Sequence, residues 1–119
     1  MTTTRRTPAG LGAAGKKLWH SIVDEFDIEE HEALLLLEAC RVADRLDSLA
    51  VAQRAGPLTV TNAKGDEVAS PYLVEGRQQA IVLSRLIASL RLPTGEEGEE
   101  KRPQRRGAAR GSYGIKGVV

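Results

Sequence analysis

The chain has 119 residues, 28% of them charged and balanced to a net +1, and among its aromatic residues only one Trp, one Phe and two Tyr. That length holds one small domain, and a core built from Leu, Ile, Val and Ala suits helices better than a β-sandwich. A single cysteine, Cys40, excludes an intramolecular disulfide. No run approaches about 18 consecutive apolar residues, and the opening MTTTRRTPAG lacks a signal-peptide core, so a soluble protein of a reducing, intracellular compartment is expected.

The near-neutral total hides a partition. Residues 1 to 20 carry Arg5, Arg6, Lys16 and Lys17 and no acid, residues 21 to 90 carry twelve acids against six bases, and residues 101 to 119 carry six bases and no acid. A polyanion is therefore directed to the ends of the chain.

In chain order, residues 1–10 are Thr-rich and basic without periodicity, which predicts a flexible basic arm. A first helix follows from about Gly12 to Phe26, with Leu18, Trp19, Ile22, Val23 and Phe26 at helical spacing and Lys16, Lys17, His20, Asp24 and Glu25 facing out. Asp27 with Glu30 reads as a capping box that opens a long second helix, Glu29 to Ala55. Its seam is Leu35, Ala39, Val42, Leu46 and Leu49, and the run Leu34 to Leu37 spreads apolar surface over further faces. A rod of roughly 40 Å with several apolar faces exceeds what one neighbouring helix covers, so self-association is expected.

Gly56-Pro57 ends this helix, with Gly56 expected in the left-handed cap conformation. The stretch LTVTNAKGDEVAS then predicts a small β-hairpin over about 58–69, marginal alone and in need of a helix or a neighbouring subunit to lie on. Ser70-Pro71 starts a third helix to Leu90, with Leu73, Ala80, Leu83, Ile87 and Leu90 on one stripe and Ile81, Val82 and Leu86 beside it. The helical core with its hairpin is thus expected over 11–92. Residues 93–119, EEGEE followed by a Gly- and Arg-rich run, have the composition of a disordered acidic-then-basic tail.

The segment Gly10-Leu-Gly-Ala-Ala-Gly15-Lys16 matches the first positions of a phosphate-binding P-loop. No apolar strand precedes it, however, and Lys17 stands where the magnesium-binding hydroxyl belongs, so a flexible lead into an Ala-rich helix start is the better reading. His20, His31 and Cys40 are not spaced as metal-ligand pairs, and a structural zinc needs four ligands. Cys40, among apolar helix residues, reads as a buried inert thiol. The acids lie mostly on polar helix faces. Nothing here builds a catalytic constellation, and neither an enzyme nor a cofactor is expected.

The basic ends are more informative. Lys101, Arg102, Arg105, Arg106, Arg110 and Lys116 alternate with Gly and Pro, which suits phosphate contact without base readout, and the scarcity of aromatic residues disfavours stacking on single strands. Duplex DNA is the polyanion that fits. Many copies in one assembly raise the effective concentration of such weak arms.

With these residues in view, the chain resembles a bacteriophage terminase small subunit of the compact tailed-phage type. The resemblance covers roughly residues 9 to 93: the AGKKLW opening, the EACRVADRLDSL segment, the hairpin with its N-x-x-G-x-x-x-x-x-P spacing, and LSRLIASLRLP. It implies a non-enzymatic DNA-packaging recognition subunit, acting in the host cell cytoplasm, that binds viral double-stranded DNA at the packaging start site and recruits and regulates the large terminase ATPase-nuclease. It also implies a ring-shaped homo-oligomer of roughly eight or more copies. On this reading Arg5, Arg6, Lys16, Lys17 and the six basic tail residues contact DNA, while Leu35, Leu36, Val42, Leu46, Leu49, Leu83 and Ile87 serve oligomerisation. Two alternatives stand beside it, a helix-turn-helix transcriptional regulator and a structural oligomeric phage adaptor. The first is opposed by Glu29, Glu30 and Glu32 at the start of the would-be recognition helix, which phosphates repel.

Overall fold

The computed structural model describes residues 5–93, so Met1 to Thr4 and the expected tail from Thr94 onward lie outside the described residues. The chain is mainly α: helices α1 (Ala13–Val23), α2 (Glu30–Ala55) and α3 (Pro71–Leu90), with strands β1 (Thr59–Thr61) and β2 (Glu67–Ala69) between the second and third. Both α1 and α3 pack on α2.

The core forms where the beginning of α2 meets α1 and the end of α3. Leu11, Trp19, Ile22, Val23, Ala33, Leu36, Cys40 and Leu90 make one buried cluster, with Leu35, Leu37, Phe26, Ile28 and Leu92 packed against it. The Leu34–Leu37 run is thus covered unequally: Leu36 is fully buried, while Leu34 remains 64% exposed. Burying a leucine contributes about 1.5–3 kcal/mol, which is why this short stretch fixes the crossing of three elements.

Helix ends depart from the sequence reading in three places. The first helix stops at Val23 rather than Phe26, where the Glu25 N–H turns back to the Ile22 carbonyl at 3.2 Å, a tighter closing turn. Phe26 still packs on the core from outside the helix, which explains why its apolar spacing looked helical. The second helix is capped by Glu29, not Asp27. Glu29 and Glu32 form the capping box, the Glu29 N–H donating to Glu32 at 2.7 Å, and Glu32 is buried. DIEEHE offers two boxes two residues apart, and the one whose acid is sheltered prevails. Gly56 is extended (φ −119°), so Pro57 ends α2 by refusing the helix; the left-handed cap is Arg91 after α3, at φ 52°.

The hairpin and the start of α3 match their sequence signals. Thr59 pairs with Ala69, Val60 with Val68 and Thr61 with Glu67. The Asn62 side chain accepts from the N–H groups of Lys64 and Asp66, both at 2.9 Å, and Gly65 takes the positive φ (88°) that the turn requires. Ser70 caps α3, its hydroxyl accepting from the Tyr72 N–H at 3.2 Å, with Pro71 in the first turn. Apart from half-buried Val60, both strands are exposed within the single chain. The helix or neighbour expected to cover them is not supplied by this chain's described residues.

Candidate functional site

Residues 5–10, expected to run free, are tied to the body. The Arg5 guanidinium faces Glu30 at 3.4 Å and donates to the Ile28 carbonyl at 3.3 Å, and the Thr7 hydroxyl lies 3.1 Å from His20 Nε2. These bonds lay the arm along α1 and bring Arg5 and Arg6 beside the α1–α2 junction. Lys16 and Lys17 are exposed near the opposite end of α1, roughly 10 Å away at about 1.5 Å per residue. The four N-terminal cations therefore form two separate pairs, and Arg5 already has an acidic partner. Lys101, Arg102, Arg105, Arg106, Arg110 and Lys116 lie outside the described residues.

The P-loop look-alike has a structural explanation. The N–H groups of Gly12 and Gly15, at the start of α1, both donate to the Asp44 carboxylate, each at 2.7 Å. Gly12 occupies the N-cap position and has no side chain to cap with. A carboxylate from α2 fills the place that a phosphate takes at a helix N-terminus, satisfying orphan donors and complementing the helix dipole. A Cβ at Gly15 would collide with the Asp44 carboxylate and lie 2.9 Å from the Cys40 carbonyl, so glycine allows α1 to approach this closely. The sequence puts the acids mostly on polar helix faces, and only the crossing of α1 over α2 reveals the use of Asp44.

Cys40 lies in the same crossing, fully buried. Burial, reinforced by the nearby Asp44 charge, pushes its thiol from an ordinary 9.0 up to about 12. It therefore stays protonated and unreactive. Among the described residues no group of three or more His, Cys, Asp or Glu is placed to hold a metal ion, and no helix is long and apolar enough to cross a membrane.

A cleft of about 720 Å³ opens where the N-terminal arm, the end of α1 and the first turns of α2 meet. Its walls divide about evenly between apolar surface, from Trp19, Val23, Phe26, Ile28, Ala33, Leu34 and Leu37, and polar surface that includes Arg5, Arg6, Asp27 and Glu30. Trp19 is only 3% exposed, and its indole N–H has no acceptor among the described residues. A second exposed apolar set lies at the other end of α2, with Leu58 68% and Tyr72 50% exposed and Val51 and Val68 open as well. Ile81 and Val82 add exposed surface along α3.

The residues assigned to oligomerisation from the sequence lie deeper than that assignment requires. Leu36 and Val42 are fully buried within the single chain, so they stabilise the protomer's own interior. Leu35, Leu46, Leu49, Leu83 and Ile87 are half-buried. The large apolar side chains left exposed are Leu34, Val51, Leu58, Val68, Tyr72, Ile81 and Val82. Leu34 and Val51 fall off the α2 seam, and that departure from the stripe was the available signal. Comparison with protein-family models, curated proteins and solved structures returns no match for this chain.

Proposed function

We propose that this chain is a bacteriophage terminase small subunit: copies assemble as a ring, the cationic ends bind viral duplex DNA at the packaging start site, and the assembly recruits and regulates the large ATPase-nuclease subunit. The observation that carries this reading is the set of large apolar side chains left open at both ends of α2, on a chain whose cations concentrate at its termini. Apolar surface of that kind marks a protein contact, and repeated weak cationic arms acquire useful affinity only in a multimer. The resemblance of residues 9 to 93 to that family supplies the biological context. Lys16 and Lys17 are the exposed cations clear of the cleft in the described N-terminal part, and the tail bases supply the remainder.

The intact mass of the purified protein and its duplex-DNA affinity against salt test this reading. A ring and a steep salt slope are expected, with the slope flattened in a chain lacking residues 101–119, because each lost phosphate contact removes about 0.9 from it. A stable monomer overturns the assembly. A dimer that reads one DNA sequence favours the transcriptional regulator.

A further inference from the structure

We infer that copies of this chain join head to tail, the cleft at the α1–α2 junction of one copy receiving the hairpin end of the next. The inference rests on the multimeric reading above and specifies its interface.

The hairpin is the first reason. Two strands of three residues each are marginal without cover, yet Leu58, Val68 and the adjoining Tyr72 are open to solvent. They are held firmly: the Ser70 N–H donates to the Leu58 carbonyl at 2.7 Å, and Gln53 Nε2 donates to the Tyr72 carbonyl at 3.1 Å, joining the hairpin base and the start of α3 to the end of α2. A preorganised apolar projection loses little entropy on docking.

The cleft is the second reason. It is amphipathic, about 720 Å³, with exposed Leu34 in its wall. Apolar side chains share its lining with Arg5, Arg6, Asp27 and Glu30, so an occupant that brings polar groups as well as apolar bulk suits this site. The hairpin end brings both, in the Tyr72 hydroxyl and the carboxylates of Asp66 and Glu67. Charge agrees too: Arg5 and Glu30 in the lining pair with each other, which leaves exposed Arg6 to face Asp66 and Asp27 to face Lys64, the two charges of the exposed hairpin turn.

Placement is the third. Leu34 and Val51 are roughly 25 Å apart along the rigid α2 helix, so the cleft of one copy cannot receive its own hairpin. The two surfaces also lie at opposite ends of α2, so a copy that gives its hairpin end to one neighbour and its cleft to another makes a heterologous contact, which closes into a ring when the rotation returns to the start, whereas a pair that exchanges both ends reciprocally stops at a dimer.

The test uses two surface variants of the full chain. Leu34→Lys disables the cleft, and its new lysine lies four residues from both Glu30 and Glu38, a spacing that supports the helix. Leu58→Lys with Val68→Thr disables the hairpin end. Each variant alone is expected to self-associate at least about tenfold more weakly than the wild type by sedimentation, with unchanged helical circular dichroism. Mixed together, the two variants retain one intact cleft and one intact hairpin end, and a 1:1 heterodimer that grows no further is expected, accompanied by a change in Trp19 emission. If either variant loses helix content, Leu34→Gln or Leu58→Gln takes its place. A wild-type multimer whose mass neither substitution alters overturns the head-to-tail contact and leaves the multimeric reading intact. Variants that dissociate singly and stay apart when mixed also overturn it. A wild type that is monomeric at high micromolar concentration removes both.

Discussion

Gly15 and Gly76 are both buried glycines in helices, yet replacing them with alanine has different expected costs. At Gly15 the new methyl meets the Asp44 carboxylate and, at 2.9 Å, the Cys40 carbonyl; the second is backbone and cannot yield. At Gly76 it meets only the Gln53 amide nitrogen, at 2.5 Å, the end of a side chain that can swing aside by giving up its bond to Tyr72. Alanine gains about 1 kcal/mol of helix propensity in either place. Gly76→Ala is therefore expected to be near neutral, and Gly15→Ala to destabilise by about 1–3 kcal/mol, a difference readable in paired thermal melts. Cys40 supports a second expectation. With its folded pKa raised to about 12 from 9.0, the unfolded chain releases the thiol proton first as pH rises. The contribution to stability is complete below about pH 9 and is lost progressively from there to about pH 12. A thiol reagent at pH 8 is expected to label native protein only at the rate of unfolding, and wild type is expected to lose stability above pH 9 more steeply than Cys40→Ala. That Cys40 would be buried was legible from its apolar neighbours; that Asp44 would cap α1 was not, because two residues so far apart in sequence meet only after the helices cross.

Helix signals in this chain are local where the cap is local. Ser70-Pro71 reads directly as a helix start, and the Ser70 hydroxyl does accept from the Tyr72 N–H, with Ser70 itself 3% exposed. Ser70→Ala is expected to cost about 1 kcal/mol, measured by urea unfolding, while Ser70→Asp retains most of the stability by offering an acceptor in the same place. The start of α2 is different. Asp27 with Glu30 and Glu29 with Glu32 present the same pattern, and choosing between them depends on which acid is sheltered by packing, a fact no local window contains. The hairpin lies between these cases: its turn, register and pairing follow from NAKGD and the β-branched residues beside it, whereas its lack of cover appears only in three dimensions.

For the assembled protein, salt separates the two kinds of contact proposed. An interface built on Leu34, Leu58, Val68 and Tyr72 is held by apolar burial, which salt strengthens slightly, whereas DNA binding through Arg and Lys weakens steeply with counterion concentration. Raising salt from about 50 to 200 mM is expected to release DNA while leaving the multimer's sedimentation unchanged. A multimer that dissociates over the same range as the DNA complex would instead be held by its charged rims, such as Arg6, rather than by the apolar ends.

Periodicity and punctuation alone establish three helices, a hairpin between the last two, and the partition of charge toward the termini, because these depend on spacings of three, four and two residues and on Gly, Pro and Ser acting on their nearest neighbours. Which leucines remain open to a partner is settled by folding. The seam of α2 marks the side chains most able to be buried, and a single chain buries or half-buries all of them, using α1 and α3 as cover. What stays exposed is the apolar surface that this packing cannot reach, and that remainder is a property of how the helices cross rather than of any one stretch of sequence.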